Sequence, residues 1–378
     1  MAEYLRIENF GPIIEVEIDN IRPLTVLIGE SGNGKSTILK VLSLFRWIYK
    51  QINLRSYLQH AKVKRTGIGF KIQTLLKTSG IHEYLRQDSV IIYQRDTYTI
   101  EMRNKSVNIR FTIAPDDLCL DKVCFISDKR AMIADFIDGK MERKVANYYL
   151  QDTIDNFIKA YDVIRQFPLE FLGVSFKVDK SKNAPERLTI QGLADEGYSI
   201  EMKNASSGIQ TVTPLVMIVE YFATKYDATE SMNSALFQYM TNTDLLKEFS
   251  AVKNVGEISR RSVHIMVEEP ELSLYPESQK SLVDYLVKAC YYDVHDYDMT
   301  LMMATHSPYI VNYLNLLMRR EQKGIETPYR MRSADVAAYE ISGGFATSLK
   351  LDCRETLVDA RSLSDPISEI YKEYNEGI

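Results

Sequence analysis

The chain has 378 residues, enough for one large domain or two ordinary ones with ample apolar material for a core. Its 46 basic and 51 acidic side chains give a net charge of −5, so the overall field does not hold nucleic acid, and any such binding needs local basic patches. Cys119, Cys124, Cys290 and Cys353 are scattered and form no CxxC pair, which argues against a disulfide frame or a zinc site and suits a reducing compartment. No apolar run approaches the roughly 18 residues of a membrane span, and no basic start leads into an apolar stretch. The expectation is a cytoplasmic protein with no membrane partner.

In chain order, "EYLRIENF" and "IIEVEID" read as strands separated by Gly11-Pro12, and the alternation in Glu15–Ile18 is the half-buried pattern. "PLTVLIG" is continuously apolar, as a strand covered on both faces would be. It runs into a glycine-rich loop and then a segment with helical spacing at Ile38, Leu39, Val41, Leu42, Leu44 and Phe45. Residues 52–87 read as mainly helical. "SVIIYQ", "TYTIEM" and "VNIRFTI" read as an antiparallel meander with breaks at Arg95-Asp96 and Asn104-Lys105.

Residues 130–166 read as helical up to Phe167-Pro168, followed by strands in "EFLGVSFKV", "RLTIQG" and "YSIEM". "NASSGIQTVTP" then opens an apolar helix, in which Pro214 removes one donor and predicts a kink. Residues 225–261 read as a polar, mostly helical insertion. Two buried strands, "SVHIMVEE" and "MTLMMATHS", flank a helix around 276–290; "AAYEISGG" and "SLKLD" suggest two more strands, and "DPISEIYKEYN" a closing helix. Alternating strands and helices with antiparallel additions predict an α/β fold.

Four stretches carry chemistry. Gly29-Glu30-Ser31-Gly32-Asn33-Gly34-Lys35-Ser36 matches G-x-x-x-x-G-K-[ST] between a buried strand and a helix. In such a loop the N–H groups turn toward phosphate oxygens, Lys35 neutralises the β and γ phosphates of ATP, and Ser36 is a ligand for Mg²⁺. Gly29, Ser31, Gly32, Asn33, Gly34, Lys35, Ser36 and Thr37 are thus the ATP-binding candidates.

"HIMVEEPE" ends a strand with two carboxylates, costly to bury unless a cation or a protonatable partner is near. Beside a P-loop this predicts Glu268 as a Mg²⁺ ligand and Glu269 as the base that polarises the attacking water. A solvated acidic turn is the plainer alternative. His306 closes the next buried strand, so its side chain is expected at the same sheet edge, facing the γ-phosphate. The serines of "NASSGIQTVTP" admit two readings: a helix N-cap, or a phosphate site made by N–H groups, a hydroxyl and a helix N-terminus.

P-loop, "SSGIQ", "VEEPE" and "THSP", in that order, resemble the ATP-binding cassette ATPases of the RecF, Rad50 and OLD kind, and most nearly the compact OLD-like AAA-type proteins. Many of these serve in bacterial defence against phage, as in the PARIS, Septu and Gabija systems. The resemblance runs from "LRIENFG" to "SDPISEIYKEYN". It implies an ABC-type ATPase head with a mostly parallel P-loop core sheet, an antiparallel β annex and a helical signature subdomain. Within a single domain over 1–378, residues 1–129 and 255–378 would form the core and 130–254 the signature subdomain.

The resemblance also implies that Ser206, Ser207, Gly208 and Gln210 act in trans on ATP held by a second copy, in a head-to-tail dimer or higher oligomer. A separately encoded effector, a nuclease, is the implied partner; a RecF-like DNA clamp in repair or maintenance is the alternative. The sequence departs from the family pattern in three places. Glu268 stands where most members have Asp, Tyr275 stands where relatives often carry His, and "FISDKR" lacks the Gln of a Q-loop, with Arg130 a stand-in or a surface residue.

Further motifs weigh less. The stretch from Lys35 to Ser207 has no sustained heptads, which excludes a long coiled coil. Asp293, His295, Asp296 and Asp298 suit a solvated acidic loop better than a nuclease metal cluster. Lys62-Lys64-Arg65, Arg260-Arg261 and Arg319-Arg320 are candidate contacts for DNA phosphates, though charge runs are usually solvated faces.

Overall fold

The computed structural model describes residues 2–63, 66–181, 184–194, 198–243, 255–293, 295–327, 329–350, 358–359 and 365–376. Strands β1 (Glu3–Phe10), β2 (Ile13–Ile18) and β3 (Leu24–Ile28) lead through the glycine loop into α1 (Lys35–His60). The region expected to be helical to residue 87 is not. Left-handed backbone at Lys62 and Gly80 divides it into the end of α1, the short α2 (Ile72–Thr78) and a 3-10 turn at His82–Tyr84 before the next strand begins.

The meander is β4 (Leu85–Arg95), β5 (Tyr98–Arg103) and β6 (Ser106–Asn108), the last ending well before the predicted "RFTI". Then comes β7 (Cys119–Ile126), which the sequence pattern does not reveal because Asp121 and Lys122 break its apolar run. Asp121 is nevertheless buried, 2.5 Å from the buried Arg95 guanidinium.

The expected helix over 130–166 is divided into α3 (Ile133–Ile137) and α4 (Tyr148–Val163). The Asn147 side chain caps α4 by accepting from the Leu150 N–H at 2.9 Å. Pro168 does not stop the chain but sits within β8 (Gln166–Leu169), at the edge of a small sheet where a missing donor is tolerated. That sheet continues in β9 (Val174–Ser181), β10 (Ala184–Gly192) and β11 (Ser199–Glu201), all antiparallel in the order β11-β10-β9-β8. The described part of 130–254 therefore carries a four-stranded sheet beside its helices.

Helix α5 (Ser207–Thr224) runs unbroken through Pro214, and α6 (Ala228–Thr243) follows. Next are β12 (Arg260–Glu268), α7 (Pro276–Val287) with a π-helical extension to Tyr292, β13 (Asp298–Thr305) and α8 (Pro308–Gln322). The chain closes with β14 (Val336–Ser342), β15 (Phe345–Ser348) and α9 (Asp365–Glu376). The strand read in "SLKLD" thus lies earlier, and Leu351-Asp352 fall outside the described residues.

The large sheet has the order β6-β5-β4-β1-β2-β15-β14-β3-β13-β12-β7. From β14 to β7 every neighbour is parallel, and this is the expected P-loop core. The antiparallel annex, β6-β5-β4-β1-β2, continues the same sheet. Alternate residues of the core strands feed two apolar layers. Leu24, Val26, Val263, Ile265, Leu301 and Met303 face α4, α5, α7 and α8, while Leu27, Met266 and Met302 face α1. Coverage on both sides explains the continuous apolar runs. It also directs the carboxyl ends of β3, β7, β12 and β13 to one edge, where α/β sheets place their ligands.

Candidate functional site

Loop 29–34 leaves β3 with left-handed glycines: Gly29 at φ +145°, Gly32 at +85° and Gly34 at +103°. A Cβ on Gly29 would lie 2.2 Å from the Ile341 carbonyl oxygen of β14, so glycine is required there by close backbone approach as well as by φ. Gly34 is the N-cap of α1 and makes no side-chain cap, leaving the helix's first N–H groups to the loop's concavity. Ser31 and Gly32 are exposed, Asn33 is half-buried, and Thr37 is buried behind them.

Lys35 is only 5% exposed and donates to the carbonyls of Gly29 at 2.6 Å and Glu30 at 2.8 Å. Burial pushes its pKa below the usual lysine value, opposed by the carboxylates of Glu269, Glu271 and Glu30. Its ammonium also lies 3.5 Å from His306 Nδ1. An ammonium can only donate, so Nδ1 accepts and Nε2 carries the proton; Nε2 lies 3.5 Å from Glu269 Oε1. Lys35, His306 and Glu269 therefore form one polar line across the ends of β3, β13 and β12.

Glu268 ends β12 at 2% exposure. Burial raises its pKa, with Lys40 the main opposing influence. The Lys40 ammonium is 3.2 Å from Oε1, and the nearby Ser36 hydroxyl also opposes the rise. A buried carboxylate and a hydroxyl on one face, balanced by a cation, form a hard-oxygen donor set that fits Mg²⁺.

Glu269 adopts φ +45°, rare for a residue with a side chain, and its N–H donates to Ala304 at 2.8 Å. Glu271, not singled out from sequence, accepts from the His306 N–H at 2.6 Å and fixes where that histidine leaves β13. Ser307 locks the same turn through Gln279 at 2.5 Å. Tyr275, at the position of the expected histidine, is 77% exposed at the N-terminus of α7.

The serine loop lies at the start of α5. Ser206 is the N-cap residue, yet its side chain makes no cap bond; Ser206 and Ser207 are both exposed. The helix-cap reading therefore lacks its hydrogen bond. Gly208 approaches the Ser273 carbonyl so closely that a Cβ would sit 2.9 Å from it, an intramolecular reason for glycine that sequence reading missed. The Gln210 amide donates to the Lys203 and Ala205 carbonyls, both at 2.8 Å, and braces the loop from within. Among the described residues, no hydrogen bond or ion pair joins 206–210 to the P-loop.

Arg130 is not a surface residue. It is fully buried, and all its bonds run to main-chain carbonyls. His295, in the acidic loop, turns both ring nitrogens to carbonyls, Ala223 at 3.0 Å and Ala289 at 2.9 Å, which ties α5 to the end of α7. No group of three or more His, Cys, Asp or Glu is arranged to hold a metal among the described residues. Of the basic clusters, Arg260 pairs with Asp96 and Asp117, Arg261 bonds the Ile258 carbonyl and Arg320 the Tyr313 hydroxyl. Lys64 and Arg65 lie outside the described residues, as does Cys353.

The AAA ATPase domain family matches residues 137–311, a span that includes α5, both carboxylates and His306. With the P-loop ahead of it, the match supports an ATPase of the AAA type. No curated protein matches the chain. Among solved structures, an SMC head domain from Thermotoga maritima is 10% identical with a TM-score of 0.35, covering 93% of this chain and 100% of that one. MJ1267, an ATP-binding cassette of an ABC transporter, is 13% identical with a TM-score of 0.37, covering 98% and 99%. No helix among the described residues is long and apolar enough to cross a membrane.

Proposed function

We propose that the chain binds and hydrolyses ATP between two copies arranged head to tail, and that this closure controls a separately encoded effector nuclease in cytoplasmic defence against phage. The observation that carries the ATPase is the convergence of Lys35, Glu268 and the Glu269–His306 pair at one sheet edge, with Ser36 beside Lys35 at the start of α1.

On this reading the N–H groups of Gly29, Ser31, Gly32, Asn33 and Gly34 cradle the phosphates with Thr37 behind them. Lys35 exchanges its two loop carbonyls for phosphate oxygens. Ser36 and Glu268 would hold Mg²⁺, which when bound offsets charge on the β and γ phosphates. Glu269 polarises the attacking water, and His306, whose Nε2 carries the proton, donates toward the γ-phosphate. The exposed Ser206-Ser207-Gly208 turn, with the positive end of α5 behind it, suits the phosphates of a second copy. The internal engagement of Arg260, Arg261 and Arg320 favours an effector over direct DNA binding.

The test uses the pure chain. It should hydrolyse ATP and leave plasmid, linear DNA and RNA intact, and Lys35→Ala should abolish turnover. Metal-dependent cutting by the pure chain, lost in Asp296→Ala/Asp298→Ala, would overturn the division of labour. Salt-sensitive duplex binding would favour the RecF-like clamp instead.

A further inference from the structure

Arg130 follows β7 and is fully buried, and no carboxylate pairs with it among the described residues. Its Nε donates to the Thr211 carbonyl at 2.9 Å, Nη1 to Glu268 at 2.7 Å and Ser127 at 3.1 Å, and Nη2 to Glu269 at 2.6 Å. A buried guanidinium without an ion pair is an expensive way to fill space, and an apolar side chain would pack there without that cost. What it uniquely supplies is a planar fork that holds three chain segments at once.

Two of those segments carry the chemistry. Glu269 keeps its left-handed backbone while its carbonyl is held by Arg130 and its N–H by Ala304, and that backbone directs the carboxylate toward His306. Thr211 belongs to the opening turns of α5, directly behind the exposed serines. Its hydroxyl bonds the Leu272 carbonyl at 2.9 Å and the Gly208 carbonyl at 3.0 Å, and Gly208 rests on Ser273. The turn after β12 and the first turns of α5 are thus joined twice, once through Thr211 and once through Arg130.

We propose that Arg130 is a positioning residue: it holds Glu269 in its working conformation and couples that conformation to the serine turn that α5 presents to a second copy. The inference rests on the ATPase reading above. A shift of the Glu269 carbonyl on nucleotide binding or product release moves the guanidinium, and the Thr211 carbonyl with it. Each copy's own nucleotide then sets how well its serine turn fits its neighbour's. Arg130 itself stays away from nucleotide.

Wild type, Arg130→Met, Arg130→Lys and Thr211→Val are compared by steady-state ATPase, binding of a fluorescent ATP analogue, and ATP-dependent mass by light scattering in a Glu269→Gln background. Failure of the ATPase reading appears in wild type alone, before any variant is made. Arg130→Met should lower kcat by about 10- to 100-fold with KM within about threefold, the scale of a misplaced catalytic group, and should lose ATP-dependent growth in mass. Arg130→Lys, which keeps one donor head, should recover part of both. Folded Arg130→Met or Arg130→Lys with kcat within twofold of wild type overturns the proposal. Should Arg130→Met fail to fold, Thr211→Val keeps the guanidinium and should weaken ATP-dependent dimerisation while analogue binding holds. Unchanged dimerisation there overturns the share carried by the Thr211 hydroxyl, and a folded Arg130→Lys that gains mass with ATP as wild type does overturns the share carried by Arg130.

Discussion

Lys40 places its ammonium 3.2 Å from the Glu268 carboxylate, one helical turn beyond Ser36, whose hydroxyl also favours the charged form of that group. The i, i+4 spacing puts hydroxyl and ammonium on one face of α1. The Tyr149 ring lies 5.6 Å from the ammonium, and the Tyr149 hydroxyl bonds the Lys40 carbonyl at 3.1 Å, so the lysine is held in place. Glutamate, one methylene longer than aspartate, reaches it. Lys40 therefore balances the buried carboxylate and competes with any divalent cation for it.

Lys40→Met should tighten Mn²⁺ binding in the presence of a non-hydrolysable ATP analogue by roughly 5- to 20-fold, the scale of one partly screened charge. Paramagnetic resonance of free and bound Mn²⁺ measures this without turnover. Weaker or unchanged Mn²⁺ binding would show that Lys40 does not compete at the site.

Glu269→Gln keeps size and hydrogen bonding and removes the proposed base. Turnover should fall by about 10²–10⁴ while nucleotide binding persists, the usual range for such a group. A dimer held together by unhydrolysed ATP should then accumulate, visible as added mass. Near-normal turnover, or no ATP-dependent mass, would count against the assignment.

The parts of the site visible in sequence are those whose chemistry is contiguous. The glycine loop, Glu268-Glu269 and His306 each end an apolar strand, so residue type and placement could be read together. The parts that stayed hidden depend on distant main chain. Arg130 bonds carbonyls of Thr211, Glu268 and Glu269, and Glu271 bonds the His306 N–H, and main-chain partners leave no mark on sequence. Strand β7 escaped because Asp121 looks like a surface residue until Arg95, from β4, is placed against it. Pro168 looked like a stop because only the sheet order shows that β8 is an edge.

Midway along β12, His264 is 3% exposed, bonded to the Thr300 hydroxyl at 2.8 Å, with Asp121 3.9 Å from Nε2. Burial, with the Arg46 charge beside it, lowers its pKa from 6.5 to about 3. A depressed folded-state value means the unfolded chain binds the proton first. The stability from the neutral ring is complete above about pH 6.5 and is lost as pH falls toward 3. Between pH 6.5 and 5 the loss should be about 2 kcal/mol, at roughly 1.4 kcal/mol per pH unit. Thermal melts of wild type and His264→Gln over that range should diverge, the variant showing the flatter dependence. Parallel curves would exclude His264 as the cause.

The proposed head-to-tail arrangement predicts a specific complementation. If Ser207 and Gly208 complete a site on another copy, each site needs Lys35 from one chain and Ser207 from its partner. Lys35→Ala removes phosphate charge, and Ser207→Arg blocks the exposed turn; each alone should abolish turnover. Mixed in equal amounts, half the dimers pair one variant with the other, and each such dimer has one intact site and one doubly damaged site. Activity should recover to about a quarter of wild type if sites act independently, and to less if they are coupled, from the statistics of a two-fold assembly. Fluorescence transfer between labelled chains verifies that subunits exchange. Full activity of Ser207→Arg alone would show that the serine turn serves no shared site.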